Sequence, residues 1–388
     1  MKRTIVILSH VTFDDSPYCR FVHDHARELV KQGYRVVVLA AIHWLPILSC
    51  FQKYKQKFIK RNKNKGKVQI IDGVEVIYKK IFSVSNLLYN SRINLNGILY
   101  YNGFKNTIKK ILKGNDTVLI DAHTFKVEGY VAKKLKQKYG IFTTVTLHGT
   151  SFDRNLKTKN GRKAIKDVFN NVDYAVCVSN KIQKNLMKLN IKNSVVIYNG
   201  INMESKIQRK QRFSIISVGN MVKSKNFDIT IKVVKDLSEI YKDIHLTIIG
   251  EGEEKEKLKE LVKKLKLENI VDFTGYLNND EVLAYMGKSE IFLMPSSPEG
   301  FGIVYAEAMH NKCITIGTKN EGIDGFIING KNGFLVKPNQ KEIVELIENI
   351  YEEKFDLEEI TNNAFETTSK LRWENNAKEY IMLMEEKD

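Results

Sequence analysis

Two glutamates eight residues apart, Glu299 and Glu307, flank a turn that could bind a phosphorylated sugar. An apolar run, Ile291–Met294, precedes the turn, and Pro and Gly punctuate it before residues that suit a packed helix. The N–H groups and positive dipole end of a helix N-terminus bind anions, so a phosphate could lie over Phe301–Val304. The two carboxylates could then accept hydrogen bonds from hydroxyl groups.

A phosphate cradle beside two hydroxyl acceptors suits a nucleotide-sugar, in which a ribose and a sugar ring flank a diphosphate. The same residues also fit an ordinary helix start, with Glu299 near the N-cap and Glu307 in solvent. Other segments must decide between these interpretations.

Further candidate ligands follow predicted strands in the second half of the chain. Lys225 comes after Ser214–Val218, and a turn from Gly250 to Gly252 follows Leu246–Ile249. Open α/β sheets bind ligands at the carboxyl ends of their strands, so Lys225 is a natural partner for a diphosphate. A lone Gly-x-Gly is a weak sign of a dinucleotide site and indicates a tight turn.

The first half of the chain begins as strand, helix and strand, over Thr4–Leu8, Arg20–Gln32 and Arg35–Ala40. This order predicts a doubly wound sheet of parallel strands. The loop Val11–Cys19 follows the first strand, so its polar residues either contact an acceptor or form an ordinary surface. They are Asp14, Asp15, Ser16 and Tyr18.

Two histidines follow later predicted strands of this half. His123 lies in a turn after Thr117–Ile120, and His148 lies in a turn after Phe142–Leu147. A lone histidine is usually structural, but two at strand ends are expected to converge on one crevice. His123 is therefore a candidate contact for the acceptor.

The alternation of strands and helices restarts after residue 200, which predicts an α/β protein of two doubly wound domains. The charge changes sign there as well. Residues 1–200 contain 36 basic and 12 acidic side chains, a net charge of +24, whereas residues 201–388 contain 26 and 33, a net charge of −7. We expect domains at 1–205 and 206–388, with an amphipathic helix at about 373–388 that can pack back on the first domain.

The basic half suggests an anionic partner such as a membrane surface, a polyanion or a phosphorylated acceptor, although the abundance of Lys could also reflect genome composition. An apolar segment, Ile42–Phe51, precedes Lys53–Lys67, in which eight of fifteen residues are basic. This order suits a bilayer interface, with Trp44, Leu45, Leu48 and Phe51 on the lipid. It suits equally a core-packed helix with a solvated basic tail.

Several classes of protein are not expected. The longest apolar run, residues 36–51, falls short of the roughly 20 residues that span a bilayer. The N-terminus lacks the core of a signal peptide. The four cysteines are far apart and predict neither a zinc site nor disulfides, which fits a reducing cytoplasm. No Asp-x-Asp motif stands where a Mg²⁺-diphosphate would need it, which is consistent with a site without a metal, and no cofactor is expected.

Taken together, the motifs resemble the group 1 glycosyltransferases, family 4 of the sequence classification. That family has the GT-B fold, in which two Rossmann-like domains face a central cleft. The resemblance covers most of the chain and is strongest over Ser217–Pro338. Its motifs are Val218–Lys225, Ile249–Gly252, Val271–Gly275, Pro295-Ser296, Glu299–Gly302, Glu307–Met309 and Asn332–Val336.

The resemblance implies a role for each matching residue. Glu299 would lie near the donor sugar, Glu307 on the ribose hydroxyls and Lys225 on a phosphate, while His148 would face the donor from the N-terminal domain. His148, Lys225 and Glu299 are the candidate catalytic residues. The other candidate donor contacts are Asn220, Gly250, Tyr276 and Leu277, the last two beside the nucleobase, and the backbone of Gly300, Phe301, Gly302 and Ile303.

The chain departs from the family pattern at three places. Asn220 stands where many members have Arg beside the phosphates, which removes one fixed positive charge. The residues from Ser16 to Arg20 replace the usual Gly-Gly, and Lys312 and Ile314 replace Gly and Pro. Lys225 and the helix dipole must therefore contribute more to diphosphate binding, or another cation must substitute.

The sequence and this resemblance thus predict a cytoplasmic glycosyltransferase, peripheral on a membrane if the basic half binds lipid, and the resemblance implies retention at the anomeric carbon. It would move a sugar, most simply from a UDP-sugar, to a glycan or lipid-linked acceptor of a bacterial surface polysaccharide, without a metal. One alternative is a glycogen-synthase-like transferase with a soluble acceptor. Another is a non-catalytic protein that binds polyanions or nucleic acid, although we expect no nucleic-acid partner.

Overall fold

The structure, a computed structural model, describes residues 3–10, 20–44, 68–82, 94–114 and 116–386. The chain divides into two compact units, the first made of residues 1–178, 182–200 and 373–388 and the second of residues 179–181 and 201–372. Each unit is a largely parallel β-sheet with helices between its strands. The α/β class and the two doubly wound sheets predicted from the sequence are confirmed.

The first unit contains a sheet of eight described strands in the order β3-β4-β2-β1-β5-β6-β7-β8, and only β3 and β4 are antiparallel neighbours. The strands are β1 Thr4–Ser9, β2 Arg35–Trp44, β3 Val68–Ile71, β4 Val74–Phe82, β5 Thr117–His123, β6 Phe142–Leu147, β7 Tyr174–Cys177 and β8 Ser194–Val196. The helices are α1 Arg20–Lys31, α2 Leu95–Leu112, α3 Glu128–Tyr139, α4 Thr150–Leu156, α5 Lys159–Phe169 and α6 Asn180–Met187.

The second unit contains a fully parallel sheet in the order β11-β10-β9-β12-β13-β14. Its strands are β9 Gln211–Val218, β10 His245–Ile249, β11 Val271–Gly275, β12 Ser289–Leu293, β13 Ile314–Thr318 and β14 Phe334–Val336. Its helices are α7 Phe227–Ile240, α8 Lys255–Lys264, α9 Asn279–Lys288, α10 Ile303–His310, α11 Gln340–Tyr351 and α12 Leu357–Ser369, with a 3₁₀ turn at Lys223–Lys225.

Continuous apolar sequence explains why these segments form central strands. Every residue of β1 is buried, and β12 reads Ile291, Phe292 and Leu293 at its buried end. A strand covered by helices on both faces has no solvent side, so its residues need not alternate between apolar and polar. Burial of each such side chain contributes about 1.5–3 kcal/mol, which makes these strands the core of each unit.

The last helix, α13 at Trp373–Glu385, belongs to the first unit although it follows the second in sequence. Its buried residues include Ala377, Tyr380 and Met384. The Tyr380 hydroxyl lies 2.7 Å from the hydroxyl of Thr146 on β6. The helix therefore supplies part of the apolar core and a polar contact to the first sheet.

Two predicted strand ends were wrong, and one strand was missed. Strand β2 continues to Trp44, where it pairs with β4, so Ile42–Trp44 is strand and not the start of an interfacial segment. Strand β5 continues through Asp121 to His123, which the sequence had placed in a turn. Strand β14 was not predicted as a strand, since three residues carry too short a pattern. The segment Lys53–Lys67 lies outside the described residues.

None of the helices in the described ranges is long and apolar enough to cross a membrane.

Candidate functional site

The strand order of the second unit indicates a candidate ligand site between β9 and β12. The chain proceeds from β9 outward to β10 on one side and later returns to β12 on the other, so the order reverses at this pair. Open α/β sheets bind ligands at the carboxyl ends of the strands where such a reversal occurs. The segments that follow β9 and β12 carry Lys225 and Glu299, respectively.

Lys225 and Glu299 form an ion pair at this point. The Lys225 Nζ donates to Glu299 Oε2 at 2.5 Å, and the two side chains are 19% and 14% exposed. Glu299 also accepts from the Ser296 hydroxyl at 3.3 Å and from the Gly300 N–H at 3.0 Å. A hydrogen bond between charged groups contributes about 1.5–3 kcal/mol when it is shielded in this way. The candidate catalytic cation and carboxylate are thus held together.

Two neighbouring segments fix the loop that carries Glu299. Asn226 donates to the Pro295 carbonyl at 2.7 Å, and the Ser297 N–H donates to the Ser224 carbonyl at 2.7 Å. Tyr305 on α10 also holds this loop, because its hydroxyl donates to the Met294 carbonyl at 2.5 Å and contacts the Ser296 hydroxyl. Burial raises the pKa of the Tyr305 hydroxyl, so it remains a neutral donor.

A third carboxylate, Glu321, was not predicted and anchors the same loop. Its Oε2 accepts from the Glu299 N–H at 2.8 Å and from the Lys181 Nζ at 2.7 Å, and its Oε1 accepts from the Ser297 hydroxyl at 2.7 Å. Lys181 also contacts the Glu299 carbonyl at 3.4 Å. These partners are 22 to 140 residues from Glu321 in sequence, so no local pattern signals the contact.

Glycines allow the loops to approach one another closely. A Cβ on Gly322 would lie 1.8 Å from the Gly300 carbonyl oxygen, so only glycine permits the Glu321 segment to reach the Glu299 loop. A Cβ on Gly250 would lie 2.0 Å from the Gly219 oxygen. Backbone bonds continue this contact, because the Gly250 N–H donates to the Gly275 carbonyl at 2.8 Å. The loops after β9, β10 and β11 are therefore one connected surface.

Helix α10 begins immediately after the Glu299 loop. Its N-cap, Gly302, has a φ of 77° and supplies no side-chain cap, and a Cβ there would meet the Tyr305 ring at 2.6 Å. The first N–H groups of a helix have no partner within the helix and carry its positive dipole. Glu307 lies one turn into α10 and is partly buried. The geometry suits an anion at the start of α10.

The remaining candidate donor contacts lie on the same connected surface. Asn220 follows β9 and is exposed, Gly250 follows β10, and Tyr276 and Leu277 follow β11. Tyr276 is 49% exposed, and an aromatic ring is a suitable surface for stacking a nucleobase. All the predicted residues of this unit therefore gather at the carboxyl ends of four neighbouring strands.

The first unit has its own order reversal, between β1 and β5, and a polar cluster lies beside it. Asp121 and His123 are on β5, His148 follows β6, and His25 is on α1. The Asp121 Oδ2 lies 3.0 Å from His123 Nε2 and 3.6 Å from His25 Nε2. His123 Nδ1 lies 2.9 Å from His148 Nε2. The two predicted histidines do converge, with Asp121 and His25 as unpredicted partners.

This cluster is also the group that could hold a metal ion within the described part of the chain. The His25, Asp121 and His123 ligand atoms all lie within 4.8 Å of one another, and all three residues are buried. Imidazole nitrogens with a carboxylate oxygen are suitable ligands for zinc or iron. The expectation of no metal stays a prediction.

A second buried carboxylate, Glu128 at the start of α3, lies near the end of β1. It accepts from the Thr124 hydroxyl, and its Oε1 lies 3.0 Å from His10 Nδ1. Burial alone would raise the pKa of Glu128, but His10 and Thr124 outweigh it and the net pKa is lowered. Of the predicted acceptor contacts, Ser16 and Tyr18 lie outside the described residues, as do Asp14 and Asp15, and only His123 can be located.

Comparison with known proteins identifies the family to which the chain belongs. The profile of the glycosyl transferases group 1 matches residues 181–367, and that of glycosyltransferase family 4 matches residues 20–205. An uncharacterized glycosyltransferase of Methanocaldococcus jannaschii, MJ1178, is 33% identical over 272 residues, which cover 69% of this chain and 74% of that protein.

Two further proteins are informative. The alpha-monoglucosyldiacylglycerol synthase of Acholeplasma laidlawii is 27% identical over 139 residues, 36% of this chain and 35% of that protein. The crystal structure of Anabaena Alr3699/HepE in complex with UDP and glucose matches with a TM-score of 0.71 at 15% identity, over 99% of this chain and 100% of that chain.

The fold is therefore that of the GT-B glycosyltransferases, as the sequence predicted. The chain belongs to the group 1 glycosyltransferases, family 4, and is a glycosyltransferase.

Replacement of Glu321 by alanine tests the anchoring of the Glu299 loop. The Glu321→Ala variant leaves the Lys181 ammonium and the Glu299 N–H without their carboxylate, so we expect the free energy of unfolding to fall by about 2–3 kcal/mol. Chemical denaturation measures this change. The control is Glu345→Ala on α11, whose carboxylate is 60% exposed and 3.8 Å from Lys341, and which should lie within about 0.5 kcal/mol of wild type. Equal stability of the two variants would contradict the anchoring role.

Proposed function

We propose that this glycosyltransferase transfers a sugar, with retention of anomeric configuration, from a UDP-sugar to a glycan or lipid-linked acceptor. The setting we infer is the synthesis of bacterial surface polysaccharide at the cytoplasmic side of the membrane. One observation carries the proposal: the Lys225–Glu299 ion pair lies directly before the N-terminus of α10, which no side chain caps. A cation, a hydroxyl acceptor and a set of N–H donors are what a sugar diphosphate requires.

Each residue of the second unit then has a distinct role. Lys225 has three N–H donors, so it can keep Glu299 and also bind a phosphate oxygen. Glu299 accepts from donor-sugar hydroxyls, and Glu307 accepts from the ribose. The N–H groups of Gly302 and Ile303 at the start of α10 bind the diphosphate, joined by those of Gly300 and Phe301 once the Gly300 N–H exchanges Glu299 for a phosphate oxygen, and Tyr276 and Leu277 lie beside the uracil. The nucleotide is chosen because the structure of Alr3699/HepE, which has the same fold, was determined with UDP.

Electrostatic stabilisation of the departing diphosphate is the main catalytic contribution of this unit. Breakage of the bond between the anomeric carbon and the phosphate oxygen leaves charge on the UDP β-phosphate. Lys225 and the α10 dipole are fixed where that charge develops, and such preorganised groups stabilise a transition state more than a ground state. The diphosphate then accepts the acceptor's hydroxyl proton on the face that it has left, which yields retention. His148 of the first unit stays a predicted catalytic residue.

Substitution of the two glutamates tests these roles. In Glu299→Ala the sugar loses an acceptor and Lys225 loses its partner, so we expect kcat/KM for the UDP-sugar to fall about 10- to 150-fold, equivalent to one charged hydrogen bond. Glu307→Ala should raise KM for the donor by about tenfold, since a ribose contact is uniform between ground and transition state. Nucleotide release with a panel of UDP-, GDP- and ADP-sugars measures both.

The control for this experiment is again Glu345→Ala, which removes an exposed carboxylate on α11. Thermal unfolding of all three variants separates lost chemistry from lost folding. Full transfer activity and unchanged donor affinity in both Glu299→Ala and Glu307→Ala would show that the site lies elsewhere.

Metal independence and retention are tested on the wild-type enzyme. Because Lys225 and the start of α10 supply the positive charge, we expect transfer rates to stay within about twofold after removal of divalent cations by EDTA. Nuclear magnetic resonance of the product should show the anomeric configuration of the donor. Loss of activity that added Mg²⁺ or Mn²⁺ restores, or an inverted product, would contradict the mechanism.

A lipid-linked acceptor is supported by the charge of the first half and by the alpha-monoglucosyldiacylglycerol synthase match, whose name specifies a lipid product. In the described residues, α2 buries Tyr100, Phe104 and Ile108 and exposes Lys105, Lys109 and Lys110. Those lysines add to the basic segment Lys53–Lys67. We propose that the first unit binds the anionic inner face of the cell membrane.

Neutralisation of the basic segment tests membrane binding. Replacement of its eight basic residues by glutamine should abolish cosedimentation with phosphatidylglycerol liposomes, because each charge near an anionic surface contributes about 1 kcal/mol. A Lys105→Gln, Lys109→Gln and Lys110→Gln triple variant measures how much α2 contributes to liposome binding. Zwitterionic liposomes are the control surface. Unchanged binding to the anionic liposomes in both variants would rule out this mode of attachment.

A further inference from the structure

Charged side chains hold the backbone of Glu299 on both sides of its Cα. The Glu299 N–H donates to Glu321 Oε2 at 2.8 Å, and the Glu299 carbonyl accepts from Lys181 Nζ at 3.4 Å. Lys181 and Glu321 are themselves paired at 2.7 Å, with side chains 17% and 12% exposed. One ion pair of the second unit therefore fixes both peptide groups that flank the Glu299 Cα.

Both oxygens of Glu321 accept hydrogen bonds from protein groups. Its Oε1 accepts from the Ser297 hydroxyl at 2.7 Å, and its Oε2 accepts from the Glu299 N–H and from Lys181. A hydrogen bond to a charged group is shorter than a neutral one and about twice as strong. The Glu321 carboxylate is thus a strong support for residues 297–299, and its oxygens are occupied by that task.

Glu321 is itself fixed relative to the sheet of the second unit. Its N–H donates at 3.3 Å to the carbonyl of Thr318, the last residue of β13, and its carbonyl accepts from the Asp324 N–H at 3.0 Å. The next residue, Gly322, is packed so closely that a Cβ would lie 1.8 Å from the Gly300 carbonyl oxygen. The turn after β13 is therefore a rigid base for the loop after β12.

The carboxylate end of Glu299 has partners that a bound donor would share. It accepts from Lys225 Nζ and from the Gly300 N–H. In the proposed function both of these groups also bind phosphate oxygens, so their hold on the carboxylate weakens when the donor is bound. The backbone contacts to Glu321 and Lys181 involve no group that binds the donor and are kept. They then determine where the Glu299 carboxylate meets the sugar.

We propose that Glu321 and Lys181 are positioning residues for sugar transfer, which hold the Glu299 backbone so that its carboxylate meets the donor sugar in the reactive geometry. A displacement of about 1 Å at a reacting group can lower a rate about 100-fold, so loss of this support should appear in kcat. The inference rests on the proposed function in one respect, the contact between Glu299 and the donor sugar. The support itself depends only on contacts within the second unit.

A matched pair of variants at Glu321 tests the support. In Glu321→Gln the side-chain oxygen can still accept from Glu299 and Lys181, and the amide can donate to the Ser297 hydroxyl, so most of kcat should be retained. Glu321→Leu makes none of these contacts, and we expect its kcat to fall about 10- to 100-fold. The assay is UDP release from the UDP-sugar that wild type turns over fastest. Equal kcat in the two variants would overturn the proposal.

The affinity for UDP separates positioning from a general loss of structure. UDP has no sugar to meet Glu299, and Lys225 and the start of α10 are not held by Glu321. The dissociation constant of UDP in Glu321→Leu should therefore stay within about threefold of wild type. Isothermal titration calorimetry measures it at a temperature where the variant is folded. A dissociation constant that rises as far as kcat falls would show a site that is merely loosened, contrary to the proposal.

A double-mutant cycle tests whether Glu321 acts through Glu299. Once Glu299→Ala has removed the carboxylate, its backbone position should matter little. We therefore expect kcat/KM of the Glu299→Ala, Glu321→Leu double variant to lie within about threefold of Glu299→Ala alone. Independent effects would instead multiply, and a loss equal to the product of the two single losses would refute the positioning role.

Lys181→Met takes the place of Glu321→Leu in this cycle should the leucine variant fail to fold. It removes the contact to the Glu299 carbonyl, so it should lower kcat in the wild-type background and leave the activity of Glu299→Ala unchanged. Full activity of Glu299→Ala itself would contradict the proposed function. A large loss in Glu299→Ala, with full activity in Lys181→Met and Glu321→Leu or with losses that multiply, would contradict this inference alone.

Discussion

The Lys225–Glu299 ion pair is the interaction on which the second unit's site depends. Both charged groups are largely shielded from water, and an unpaired charge in such a buried position is costly. The loop that carries Glu299 would be free to move if it were held only by its own residues. It is instead tied to the 3₁₀ turn through Asn226, to α10 through Tyr305 and to the segment after β13 through Glu321. The position of one carboxylate thus requires three elements.

The first unit solves a related problem with different residues. Its buried carboxylate, Asp121, is stabilised by two threonine hydroxyls and by two histidines. Helix α13 contacts one of these histidines, His25. His25 Nδ1 lies 2.7 Å from Asn376 Oδ1. The side-chain amide nitrogen of Asn376 donates to the Tyr198 carbonyl at 2.9 Å. The return of the chain to the first unit is therefore more than apolar packing, because it also orients a polar cluster beside the sheet.

The amino-acid sequence predicts the sheets well because buried parallel strands are continuous apolar runs. Phe142–Leu147 was predicted to the residue, and the N-terminus of α10 was placed correctly from Pro, Gly and helix-forming residues. Very short strands and the polar ends of strands were predicted less accurately. Strand β14 is three residues long, and the end of β5 combines Asp121 and His123, which resemble loop residues.

The grouping of the candidate donor residues was predictable because they lie at or near the carboxyl ends of strands within the same unit. Glu321, Lys181 and His25 were not, since their importance lies in partners far away in sequence: Lys181 is 140 residues from Glu321, and His25 is 351 residues from Asn376. Periodicity and motif spacing describe neighbours along the chain and carry no information on such pairs. Only the folded arrangement shows that Lys181, which belongs to the second unit, supports the loop after β12.

The central claim is that the carboxyl ends of β9 to β12 bind the nucleotide. Hydrogen–deuterium exchange with and without UDP tests it most directly. We expect UDP to slow amide exchange at residues 219–226, 250–252, 275–278 and 296–309 and to leave the exchange rates of the first unit's sheet unchanged. Slower exchange elsewhere with no change at residues 296–309 would contradict it.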